Sequence, residues 1–246
     1  KNYTAVYLAL FTWIKEHKIP LKRDVIFLAT SGEEVGSTTG LKWLADEHWG
    51  EINPAFALNE GGGIIRDKDG ISIVFAEAST KMYMDIKITA YGTAGHSSMP
   101  ADDNAVYRLS QALSKISQYN APARMTPTTY KFFKTIAPLQ DEDAQTTMHF
   151  LLGADEKNRA MAAEIVALDP FFRTQLKNTI TPTVLTGGKD SGATAGEASA
   201  LLNARLLPGT DPDTFLEELK KLFEGDDEIS LEVVEQPEMP FPAPMD

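Results

Sequence analysis

Three glutamates carry the spacing that points to chemistry. Glu33 and Glu34 are adjacent in Ser31-Gly32-Glu33-Glu34-Val35-Gly36, and Glu60 precedes Gly61-Gly62-Gly63. Each group follows a short apolar run, residues 24–30 in one case and 55–58 in the other. Carboxylates just past a strand end lie where open α/β sheets bind ligands. A hydrolytic zinc takes about three protein ligands and keeps a position for water. It also needs a general base within reach of that water. Neighbouring side chains on a turn point in different directions, so one of Glu33 and Glu34 can bind metal while the other holds the water. Plainer roles also suit these residues: a solvated acidic turn for Glu33-Glu34, a cap or turn for Glu60.

The other candidates lie further along. The chain has 4 histidines. His17 and His48 fall near expected helix ends, where a solvated histidine suits the helix dipole. His149 falls in an apolar run, 147–152, that can be read as a strand. His96 differs, because Gly92-Thr93-Ala94-Gly95-His96-Ser97-Ser98 is a loop of small residues that could present the ring to a ligand. Arg205 sits among apolar neighbours just before Leu206-Leu207-Pro208-Gly209. It is either a surface residue or a planar fork for a carboxylate. With Glu34 and Glu60 as ligands and Glu33 as base, the metal site is short of ligands, since no His or Asp of residues 1–80 stands at another strand end.

Composition narrows the classes. The chain has 246 residues and a net charge of -12, which disfavours nucleic-acid and anionic-membrane surfaces. It contains no cysteine, so disulfides and thiolate zinc sites are excluded. No apolar run approaches the roughly 20 residues of a membrane-spanning helix.

The elements that must position these residues can be read from periodicity. Val6, Leu10, Trp13 and Ile14 predict a helix over 3–17. Strands over 24–30 and 55–58, joined by a helix over 37–49 that Ser37 could cap, predict a right-handed parallel unit. A further strand is expected at 71–76. From Met82 the pattern changes to period 2, with Tyr83, Asp85, Lys87 and Thr89 alternating with Met84, Ile86, Ile88 and Ala90, as in a half-exposed antiparallel strand. A helix opened by Asp102 or Asp103 follows. Further expectations are a helix over 156–167, strands at 183–186, 200–207 and 229–234, and a helix over 212–223. The fold class is therefore α/β: residues 1–81 as part of a mixed, mainly parallel sheet domain, residues 82–235 as an α+β layer with a four-stranded antiparallel sheet, and 236–246 as a return segment.

Taken together, four stretches resemble the co-catalytic zinc exopeptidase and amidohydrolase family of aminoacylase, carboxypeptidase G, acetylornithine deacetylase and succinyl-diaminopimelate desuccinylase. They are Thr30 through Gly36, Asn59-Glu60-Gly61-Gly62, Gly92 through Pro100 with Asn104, and Asn203-Ala204-Arg205-Leu206-Leu207-Pro208-Gly209. The resemblance implies that Glu33 is the general base and that Glu34 and Glu60 are ligands of two zinc ions. It implies that residues 82–235 form a lid that also makes a homodimer. His96 then reaches the partner subunit's active site and steadies an oxyanion, while Asn104 and Arg205 help hold the substrate, a small peptide or N-acyl amino acid. The family's upstream His-x-Asp, its bridging Asp and its late His have no counterpart between Lys1 and Asp246, so an internal fragment of a larger enzyme is expected. Where the family has Asn-Val-Ile-Pro, this chain has Gly192-Ala193-Thr194-Ala195. An alternative from another class stays open: a non-catalytic dimerisation or interaction module.

Overall fold

A computed structural model describes residues 2–32, 39–59, 61–66, 70 and 72–235. The chain divides into two compact units, Lys1–Ala76 and Glu77–Asp246. Among the described residues no helix is long and apolar enough to cross a membrane.

The first unit holds α1 (Asn2–Glu16), α2 (Leu41–Glu47), α3 (Trp49–Ile52) and an antiparallel pair, β1 (Gly63–Arg66) with β2 (Ser72–Phe75). Helix α1 forms where the apolar spacing predicts it. The expected helix over 37–49 instead breaks at His48, and Ser37 lies outside the described residues. The parallel unit does not form among the described residues. Residues 24–30 and 55–58 are irregular chain, with Ile26, Phe56 and Leu58 exposed. An apolar run becomes a buried parallel strand only when neighbouring strands take its hydrogen bonds and helices cover both faces. Here neither run has a ladder partner among the described residues.

The second unit carries the period-2 signal. Its order is β3 (Met82–Tyr91), β4 (Gly95–His96), α4 (Ala105–Gln118), α5 (Pro127–Ile136), α6 (Glu142–Leu152), α7 (Glu156–Val166), α8 (Pro170–Leu176), β5 (Thr179–Gly187), β6 (Ala193–Thr194), β7 (Glu197–Leu206), α9 (Pro212–Lys220) and β8 (Ile229–Glu235). Four strands form one sheet in the order β5-β7-β3-β8, with every neighbouring pair antiparallel. Pro182 stands in the edge strand β5, where the register shifts, a place where a missing N–H is tolerated.

Alternation splits this sheet into two faces. Met82, Met84, Ile86, Ile88 and Ala90 of β3, with Ala198, Ala200, Leu202, Ala204 and Leu206 of β7, are no more than 2% exposed. They pack on Leu109, Ala112 and Ile116 of α4 and on Phe215 and Leu219 of α9. The alanines let the helices approach closely. Truncating the buried Phe215 to Ala would cost about 3–5 kcal/mol. The opposite face carries Tyr83, Asp85, Lys87 and Thr89 beside Ser199, Asn203 and Arg205.

Between α4 and β5 lie four helices. The strand expected over 147–152 is instead the end of α6, started by Asp141, whose side chain accepts from Ala144 N. The helix places Met148 and Leu151 in the interior. Asp155 and Asp169 cap α7 and α8 in the same way. Two cations tie these helices to the sheet layer. Lys177, 4% exposed, donates to both oxygens of Glu164 at 2.7 Å and to Asn120 Oδ1 at 2.7 Å. Arg124 donates to the carbonyls of Leu207, Pro208 and Gly209.

Candidate functional site

Two separate clusters of polar residues occupy the two ends of the sheet. The first is the loop that follows β3. Gly92 starts it by coming so close to the start of α4 that a Cβ there would lie 2.4 Å from Asp103 O. Only glycine fits such an approach. Gly92 N donates to Gly196 O, and Thr93 is tied to Asp103 through its backbone N–H and through its hydroxyl, at 2.8 Å from Oδ2. Beyond this closure β4 pairs with β6, placing Gly95 opposite Thr194 and His96 opposite Ala193. Ser97 N donates to Gly192 O. The Gly192–Ala195 stretch, where the sequence departs from the family pattern, therefore lies directly against the loop that carries His96.

His96 is exposed, and its ring is oriented by Ser98. Ser98 N donates to His96 Nδ1 at 3.2 Å, and Ser98 Oγ lies 2.7 Å from the same nitrogen. A backbone N–H can only donate, so Nδ1 must be the acceptor. In the neutral ring the proton is then on Nε2. The loop thus presents an N–H donor outward, the form suited to an oxyanion.

Asn104 caps α4, in place of the Asp102 or Asp103 expected from sequence. Its Oδ1 accepts from Val106 N at 2.9 Å and Tyr107 N at 3.3 Å. The structure therefore gives its oxygen a structural task and leaves its amide nitrogen as the end available to a ligand.

Arg205 stands at the other end of the sheet. It lies opposite Tyr83 on one side and Thr179 on the other. Its Cζ lies 4.6 Å from the centroid of the Tyr83 ring, and its Nε donates to Asn203 Oδ1 at 3.2 Å. Lys81 is close by and donates to Lys177 O at 2.7 Å and Thr179 Oγ1 at 3.3 Å. Burial, and secondarily the charge of Arg205, lowers its pKa from 10.5 to about 8. The structure thus brings His96 and Asn104 together at one end and leaves Arg205 at the other. Sequence reasoning missed Lys81, Ser98 and Asn203, and read Tyr83 and Asp85 only as the polar side of a strand. Their spacing, two residues apart on facing strands, becomes a signal only once the register is known.

Glu33, Glu34 and Glu60 lie outside the described residues. Among the described residues no group of three or more His, Asp and Glu gathers to hold a metal ion. His149, expected in a strand, lies on α6.

Residues 78–228 match the family model described as Peptidase dimerisation domain. Among curated relatives, the chain is 24% identical over 213 residues to "Probable carboxypeptidase S-like 2" of Dictyostelium discoideum, covering 83% of this chain and 40% of that protein. It is 33% identical over 125 residues to succinyl-diaminopimelate desuccinylase of Corynebacterium glutamicum, covering 49% of this chain and 31% of that enzyme. A looser likeness, at 12% identity and a TM-score of 0.43, is to human carnosine dipeptidase 1, over 69% of this chain and 39% of that one. The chain thus spans less than half the length of each. Because the matched model extends over more than half of its residues, the chain belongs to the peptidase dimerisation domain family.

Proposed function

We propose that this chain is part of a zinc-dependent hydrolase. It cleaves an amide, in a small peptide or an N-acyl amino acid, next to a free carboxylate, and it works as a homodimer joined through residues 82–235. The observation that carries this reading is the dimerisation-domain match over 78–228 on a chain that also holds Glu33-Glu34 and Glu60. Relatives named as carboxypeptidase and desuccinylase support the reaction class.

In this reading Glu34 and Glu60 are zinc ligands, and zinc would supply a polarised water and positive charge for the oxyanion. Glu33 takes the attacking water's proton and passes it to the leaving nitrogen. The Nε2–H of His96 donates to the oxyanion in the partner subunit's site. Arg205 holds the substrate's carboxylate with its free nitrogens, and the Asn104 amide adds a donor. The dimer surface that suits this is the β5 edge and the adjoining side of α4. There Val184, Leu185, Val106 and Tyr107 are exposed, Leu185 by 65% and Tyr107 by 71%. An unpaired strand edge flanked by apolar side chains invites a second copy.

The test is Glu33→Ala in the full-length enzyme. Turnover should be lost with zinc content nearly intact. Zinc lost with activity retained would overturn the assignment. A second reading takes the chain as an interaction module without catalysis, favoured by a family match confined to the dimerisation domain. Tight binding of two zinc ions in a titration of the 246 residues would exclude the module reading.

A further inference from the structure

Arg205 is exposed, yet its guanidinium is held from two sides. Among the described residues no carboxylate forms an ion pair with it. The residues that hold it form a closed ring. Tyr83 OH donates to Asp85 Oδ2 at 2.6 Å, and Asn203 Nδ2 donates to Asp85 Oδ1 at 2.8 Å. Asn203 Oδ1 then accepts from Arg205 Nε, and Arg205 lies over the Tyr83 ring. The register makes this possible, because Asp85 faces Asn203 and Tyr83 faces Arg205 on the same polar side of β3 and β7.

The logic of the ring starts at Asp85, which is only 9% exposed. An ionised carboxylate accepts and cannot donate. Asn203 must therefore turn its NH2 toward Asp85, which turns its oxygen toward Arg205. The same carboxylate fixes the Tyr83 hydroxyl, and with it the ring that serves as a platform. Nε is thus occupied and one face stacked, while the two terminal nitrogens make no hydrogen bond among the described residues. A planar fork fixed in advance loses less freedom when it grips a carboxylate.

We propose that Asp85, with Asn203 and Tyr83, is the positioning device that pre-orients Arg205 for the carboxylate of the substrate. This rests on the reading of Arg205 given under the proposed function. Asp85 touches no substrate and acts through Asn203 and Tyr83. Its carboxylate is buried and serves orientation, and Lys81 stands at the same end of the sheet, where it donates to Lys177 O.

The test compares two substrates in the full-length enzyme: an N-acyl amino acid with a free carboxylate, and its carboxamide. Asp85→Asn keeps the shape but lets the side chain donate, so Asn203 is no longer fixed. KM for the acid should rise about tenfold with kcat nearly unchanged, and kcat/KM for the carboxamide should stay at the wild-type value. Tyr83→Phe keeps the platform and removes one donor, so a smaller rise of about threefold is expected, again for the acid alone. Equal losses on acid and carboxamide in both variants, or no loss on the acid in either, would overturn the proposal. Arg205→Ala separates it from its foundation. If Arg205→Ala abolishes the preference for the acid while Asp85→Asn and Tyr83→Phe leave it intact, the positioning role fails and the carboxylate role stands. If Arg205→Ala leaves the preference intact, both fail.

Discussion

His96 and Arg205 stand at opposite ends of the β3–β7 ladder. Tyr83 pairs with Arg205 at one end, Tyr91 pairs with Glu197 at the other, and the loop with His96 departs from that second end. At ~3.4 Å per residue, the eight steps from Tyr83 to Tyr91 separate the two ends by about 27 Å. An extended dipeptide spans only about 7 Å. One copy of this sheet therefore cannot apply both residues to one substrate. If both contact substrate, they serve different active sites, and each site takes its His96 from another copy of the chain.

The double task of Asn104 can be separated by substitution. Asn104→Asp keeps an oxygen for Val106 N and Tyr107 N, so stability should change by no more than about 0.5 kcal/mol. Asn104→Ala removes the cap and should cost about 1 kcal/mol. If the amide nitrogen contacts substrate, kcat/KM should fall in both variants. Urea denaturation and steady-state kinetics on the same preparations decide it, and full activity in the aspartate variant would confine Asn104 to the cap.

Lys81 predicts a pH dependence of stability. Its pKa falls from 10.5 to about 8 on folding, through burial first and Arg205 second. Between those values the unfolded chain holds a proton that the folded chain has released. Stability therefore rises with pH across that window, and the penalty of burying the charge is in full force below it. Lys81→Met lacks this dependence. The wild type should gain on the variant as pH rises from 8 to 10.5, measured by urea unfolding at several pH values. A constant difference between the two proteins would count against the burial of the Lys81 ammonium.

The edge of β5 predicts the association state. Leu185→Lys places a charge on an apolar edge that is 65% exposed in the single chain. Dimer dissociation should become about 30-fold easier, as expected for a central interface residue. Analytical ultracentrifugation over a concentration series reads this directly. An unchanged association state would place the proposed interface away from the β5 edge.

How much of this was legible in the sequence depends on the kind of order involved. Strands β3, β7 and β8 could be read from Met82, Met84 and Ile86 and their counterparts, because a sheet with one buried face writes its register as alternation. Residues 147–152 misled because Met148, Phe150, Leu151 and Leu152 form an apolar run too short to show its period. Asp141 capping Ala144 was the signal that a helix had already begun. Residues 24–30 have the composition of a parallel strand, but composition cannot supply the neighbours that such a strand needs. The positions of His96 and Arg205 as candidates came from the motifs. Their separation, and the ring of Tyr83, Asp85 and Asn203, came only from register, since the residues lie more than a hundred positions apart in the chain.

The most direct test of shared active sites is a hybrid dimer of the full-length enzyme. One subunit carries Glu33→Gln and the other His96→Ala. Each homodimer should be nearly inactive. If His96 serves the partner's site, the hybrid has one site with an intact Glu33 and an intact His96 from its neighbour. Purified hybrid should then recover about half of the wild-type activity, since one of its two sites is whole. If His96 acts within its own subunit, neither site is whole, and a hybrid as inactive as its parents would contradict the account.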